Sequence, residues 1–115
     1  MRWGNAEIPV GCVIRMQRDF LEAKIWEDHS EYGQRFVPRT FEGRQNFLIC
    51  EFKLGSFSLV RSIHSGPQAS GFPSSRQKED WYVKLLSEDG QAVFWLGQSR
   101  SHLESWIKSK FVRLT

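Results

Sequence analysis

Apolar residues recur along this chain at two spacings. Val10, Cys12, Ile14 and Met16 occupy every second position, the period of a strand with one buried face. Asn46–Leu54 is a dense run of β-favouring residues. Phe57–Ile63 is another, set off from the first by Gly55-Ser56. Glycine accepts φ > 0 at the first turn position, so the two runs read as a hairpin. That register sets Leu54 against Phe57, Phe52 against Leu59, Cys50 against Arg61 and Leu48 against Ile63. All but Arg61 are apolar. An arginine there needs a carboxylate partner or a place at the end of the sheet.

A second hairpin is expected where Trp81–Leu86 and Ala92–Leu96 flank Asp89-Gly90. A two-residue turn sets Leu85 opposite Phe94 and Val83 opposite Leu96. Tyr82, Lys84, Leu86, Val93 and Trp95 then share the other face. Both faces are rich in apolar atoms. Beyond it, Ser101-His102-Leu103-Glu104 has the form of a capping box. Leu103, Trp106, Ile107, Phe111 and Leu114 continue as one helical stripe, so the spacing predicts a helix over about 101–113 that packs on the sheet. Lys108, Lys110 and Arg113 near its end suit the macrodipole.

The segment Phe20–Trp26 reads as a strand paired back onto residues 10–16 through Arg18-Asp19, with Arg15 opposite Glu22. The same stretch also carries a capping pattern at Asp19–Glu22 and a helical stripe of Leu21, Ile25 and Tyr32. The strand is the preferred reading. Residues 34–41 add a short edge strand interrupted by Pro38. Glycine, proline and serine dominate from Ser65 to Ser75, which predicts a long flexible loop over about 65–79.

Together these elements give an α+β fold, mostly β. It is a strongly curved antiparallel sheet or small barrel of about five to seven strands under a C-terminal helix. The length of 115 residues suits one domain over 1–115. In element order alone this resembles the ββββα unit of PUR-type and Whirly-type single-stranded nucleic-acid binders. It also resembles the PH-like superfold, with seven strands and a closing helix. Such a likeness does not fix function.

Chemistry is sparse. No run approaches the ~20 apolar residues that a bilayer-spanning helix requires. The N-terminal apolar stretch is broken by Pro9, Gly11 and Arg15, so no secretory signal is read. The expected location is therefore intracellular, cytoplasmic or nuclear, with Cys12 and Cys50 as free thiols. His29, His64 and His102 stand apart from each other and from both cysteines, so no metal site is expected. Nucleophile elbows and phosphate-cradling glycine patterns are absent. The expectation is a non-enzyme without a cofactor.

Charge changes this picture. Residues 1–31 carry a net −2, residues 32–78 a net +5 and residues 79–115 none, within a total of +3. Basic residues there are interleaved with aromatics, as in Arg35-Phe36 and Arg39-Thr40-Phe41, and the chain as a whole carries an aromatic surplus of five Trp and nine Phe. Cations that track phosphates beside rings that stack bases describe a single-stranded nucleic-acid surface. The candidate stacking residues are Tyr82 and Trp95. The candidate phosphate contacts are Lys84, Lys53, Arg35, Arg39, Arg44 and Arg76. The expected function is thus a non-enzymatic nucleic-acid-binding module that prefers single strands. The alternative is a protein-interaction module, a PH-like adaptor or an inhibitor of a larger complex, in which the aromatic residues anchor a protein partner or a homodimer.

Overall fold

The computed structural model describes residues 8–29, 33–65 and 80–115. Within them lie strands β1 (Val13–Met16), β2 (Phe20–His29), β3 (Gly33–Glu42) and β4 (Asn46–Leu54), then helix α1 (Phe57–Ser65). Strands β5 (Trp81–Ser87) and β6 (Ala92–Gly97), helix α2 (Arg100–Lys110) and the short strand β7 (Phe111–Arg113) follow. The strands form one antiparallel half-barrel sheet in the order β3-β2-β6-β5-β4-β1-β7. The expected α+β class, curved sheet and C-terminal helix are all present.

Strand alternation sorts the side chains onto two faces. The inner face holds the main core, to which every strand contributes: Ile14, Leu21, Phe41, Phe47, Leu85, Val93 and Phe111 are each at most 4% exposed. Leu103 and Ile107 of α2 close this core. The outer face is covered in part by α1, where Ile63 packs with Phe36, Tyr82 and Phe94.

The Gly55-Ser56 hairpin is overturned, because Phe57–Ser65 is a helix. Ser56 starts it: its hydroxyl accepts from the Leu59 amide at 3.3 Å and its carbonyl from the Val60 amide at 3.0 Å. A period of 3.6 puts Leu59, Val60 and Ile63 on the sheet side and leaves Ser58, Arg61 and Ser62 exposed. That resolves the misplaced arginine, which a period of two drives into the apolar face. Gly55 permits the close start, since a Cβ there would lie 2.8 Å from Val60 Cγ2 and 3.0 Å from Tyr82 Cδ1.

The Asp89-Gly90 hairpin is present with a different register. Its loop has three residues, Glu88-Asp89-Gly90, closed by the Ser87 amide donating to the Gln91 carbonyl at 2.9 Å. Gly90 takes φ +82, as a type I turn followed by a left-handed residue requires. Leu85 therefore faces Val93 and Val83 faces Trp95, not Phe94 and Leu96. A one-residue slip moves every side chain of one strand to the other face. Tyr82 consequently lies on the outer face and Trp95 on the inner one.

Strand β4 carries its own parity change. A bulge at Cys50 separates Ile49↔Leu85 from Glu51↔Lys84. Phe47 and Ile49 point inward before it, and Phe52 packs against the same core after it. At the N-terminus Cys12, Ile14 and Met16 are buried as the alternation predicts, but Val10 is exposed. Phe20–Trp26 is strand, yet β1 pairs with β4 and β7 while β2 pairs with β3 and β6, so Arg15 does not oppose Glu22. Strand β3 is an edge strand that contains Pro38, as expected, but it is ten residues long and its pairing with β2 runs through Pro38 without interruption. The α2 N-cap is Ser99, whose hydroxyl accepts from the His102 amide at 3.1 Å, in place of Ser101. The helix stops at Lys110, because Phe111–Arg113 pairs with β1. The expected loop falls on residues 66–79, outside the described residues, apart from Ser65, which ends α1.

Candidate functional site

Of the residues picked out for nucleic-acid binding, the structure brings Tyr82, Lys84 and Lys53 together on the outer face of β5 and β4, and sets Trp95, Arg39 and Arg44 apart from them. Tyr82 is 3% exposed beneath α1. Its hydroxyl donates to Glu51 Oε2 at 2.7 Å. Burial first, and then this bond, push the phenol far above its ordinary range; the same bond is the main cause holding the Glu51 carboxyl low. Trp95 stacks on Trp106 of α2, with centroids 4.6 Å apart and planes 6° from parallel. Each ring therefore already has a neighbour, and the two lie on opposite faces.

Three of the six cations have carboxylate neighbours. Arg39 meets Asp89 at 3.0 Å and lies over the Phe41 ring at 4.3 Å. Asp89 is held below the usual carboxylate range by the Ser87 hydroxyl first and Arg39 second. Arg44 meets Asp19 at 3.3 Å, and Lys53 meets Glu51 at 3.6 Å. Lys84 sits half-buried on the outer face, in register with Glu51 and Phe94. The backbone of Arg35 pairs with Glu27; its side chain, and the whole of Arg76, lie outside the described residues.

Another grouping does emerge, on the outer face beside α1. Successive register pairs run across the sheet at one level: Ala92 beside Leu86, Leu86 beside Leu48, and Leu48 beside Val13. At one end the Leu114 amide donates to the Val13 carbonyl at 2.8 Å. At the other end, one more step of the β2–β6 register brings Trp26 beside Ala92, and the Gln91 side-chain amide donates to the Trp26 carbonyl at 3.1 Å. The result is an apolar belt over six strands, about 24 Å long at ~4.8 Å per strand spacing. Trp26 is 39% exposed, Leu86 36% and Leu114 41%. Val112, also exposed, widens it on β7, where it faces Arg15.

Sequence reasoning missed this belt. Its signal was β5, which is apolar on both faces. Tyr82 is covered by α1, while Leu86 further along the strand is not. An exposed apolar row of this kind is the usual mark of an interaction surface.

Among the described residues no group of three or more His, Cys, Asp or Glu has the arrangement to hold a metal ion, and no helix is long and apolar enough to cross a membrane. Cys12 is buried, and that burial raises its thiol pKa. Comparison of the chain with protein-family models, with curated proteins and with solved structures gives no match.

Proposed function

We propose that this protein is a non-enzymatic interaction module that binds another protein on the outer face of its half-barrel. The observation that carries this reading is the belt from Trp26 through Leu86 to Leu114, apolar and open between α1 and the sheet edge. A large aromatic beside aliphatic residues is the composition of an interface anchor. Charge supports a particular partner. Arg15 and Lys24 stand on the same face next to the belt and form no salt bridge among the described residues. Near the belt, Glu51 and Glu88 already accept hydrogen bonds, from Tyr82 and the Asn46 amide, while Glu22 and Glu42 share the face farther along β2 and β3. The complementary partner is apolar at its centre and acidic at its margins.

The single-stranded nucleic-acid reading placed on Tyr82 and Trp95 needs those two rings free beside free cations. Tyr82 against α1, Trp95 against Trp106, and Arg39, Arg44 and Lys53 against carboxylates favour the protein partner instead.

The test is selection from a random peptide library by the whole chain, with Leu86→Asp as the counter-selection. The expected result is a set of apolar peptides that bind the wild type and are lost on the variant. Three results overturn it: no enrichment; oligonucleotide binding that falls steeply with salt and survives Leu86→Asp; or self-association abolished by Leu86→Asp, which makes the partner a second copy.

A further inference from the structure

At the β7 end the belt runs into a hollow of about 460 Å³ lined by Arg15, Met16, Gln17, Arg44 and Val112. Two turns are tied together beside it. The Gly43 amide donates to the Asp19 carbonyl at 3.0 Å, which joins the β3–β4 turn to the β1–β2 turn. Gly43 and Arg44 both take left-handed backbone, at φ +86 and φ +54. The Arg15 Nε donates to the Arg44 carbonyl at 3.3 Å. This places two guanidinium-bearing chains at one site.

The acceptors that would compete there are occupied. The last turn of α2 directs carbonyls this way, but the Gln17 amide donates to the Lys108 carbonyl at 3.1 Å and to the Phe111 carbonyl at 2.7 Å. The anion paired with Arg44 is Asp19, at 3.3 Å in a pair that is largely exposed on both sides. Exposed pairs of this kind contribute little, so an incoming anion displaces Asp19 at small cost.

We infer that this hollow takes a carboxylate of the partner, held by Arg15 and Arg44, while the adjoining apolar residues lie on the belt. The inference rests on the interaction reading and specifies its ligand as an acidic side chain next to an apolar stretch. Val112 connects the two parts, because it lines the hollow and lies exposed on the belt face. A phosphate backbone offers the same charge. It would also need stacking rings within reach, and the hollow's other walls are Met16 and Gln17.

The experiment measures binding of the whole chain to three labelled probes: a peptide alternating Leu and Glu, its Leu–Gln counterpart, and a single-stranded oligonucleotide. The expected order places the Leu–Glu peptide first. Arg15→Gln and Arg44→Asn, the latter keeping a residue that tolerates left-handed backbone, each weaken it about 10-fold. Asp19→Asn removes the competing anion and tightens it. Loss of binding in Leu86→Asp with no effect of either arginine variant overturns the hollow and leaves the belt standing. Loss in the arginine variants with no effect of Leu86→Asp overturns the belt reading and leaves only an anion site. Tighter binding of the oligonucleotide with the same arginine dependence transfers the site to nucleic acid. No binding of any probe overturns the inference outright.

Discussion

The Tyr82 hydroxyl reaches Glu51 Oε2 at 2.7 Å from beneath α1, joining β5 to β4 across the outer face. This bond makes Tyr82 a structural residue, and it gives the protein an alkaline limit. The folded protein keeps the phenol neutral well beyond its ordinary pKa of 10.0, chiefly through burial. A folded pKa above the unfolded one means stability that is complete below the unfolded value and declines as pH rises past it. Stability should therefore fall progressively above about pH 10. In a Tyr32→Phe background the tyrosinate ultraviolet band reports Tyr82 alone, and it should appear together with unfolding. A band that develops at ordinary pH while the circular dichroism stays native would contradict this.

Glu51 gives the acid counterpart. Its folded pKa lies below 4.5, with the Tyr82 hydrogen bond as the largest cause. The stability it supplies is present above the unfolded pKa and is lost as pH falls through the folded one. Tyr82→Phe removes one net hydrogen bond and should cost about 1 kcal/mol at neutral pH. The gap between wild type and variant should narrow below about pH 4.5. Urea melts at several pH values measure it, and a gap independent of pH would exclude the bond as its source.

Two glycines should fail for different reasons. Gly90 has open space where a Cβ would stand but takes φ +82, so Gly90→Ala carries backbone strain of about 1 kcal/mol. Gly97 has no unusual φ, but a Cβ there would lie 2.8 Å from Leu103 Cβ and 3.1 Å from its Cα. Gly97→Ala must push α2 off the sheet, at about 1–3 kcal/mol. Only the second should disturb the near-ultraviolet signal of the Trp95–Trp106 stack. Equal spectral changes in both variants would refute the distinction.

The sheet, its curvature and α2 were legible because alternation at 10–16 and the stripe from Leu103 to Ile107 each fit one period. What failed were places where a single residue changes parity. Gly90 as a third loop residue, not a second turn residue, separated Tyr82 from Trp95. Cys50 as a bulge reversed the faces of β4. Arg61 was a conflict within the strand reading of 57–63, and a helical period would have removed it. The candidate site depended on those parities, so it changed more than the fold did. The belt joins residues from six strands whose order the chain does not spell out.

The stacked tryptophans predict a measurable coupling. Trp95 of β6 and Trp106 of α2 are half-buried against the core. Each single change to Ala should destabilise by roughly 2–3 kcal/mol, below the usual cost for a fully buried Trp. The double variant should lose about 1 kcal/mol less than the sum, because stacking is then removed only once. Strict additivity in denaturant melts would mean that the rings are merely adjacent.

Pro38 bears on how a ten-residue edge strand avoids pairing with another chain. In β2–β3 pairing, Gly43 donates to Asp19, so by alternation the amides of residues 41, 39 and 37 face β2. Residue 38 then faces outward, where the missing proline N–H removes a donor from the free edge and none from the ladder. Pro38→Val restores that donor at an exposed position. Its folding stability should stay within about 0.5 kcal/mol of wild type. Sedimentation should show concentration-dependent self-association beyond that of the wild type, as expected for an unblocked edge. Loss of stability without association would place the Pro38 nitrogen on the β2 side and refute the register argument.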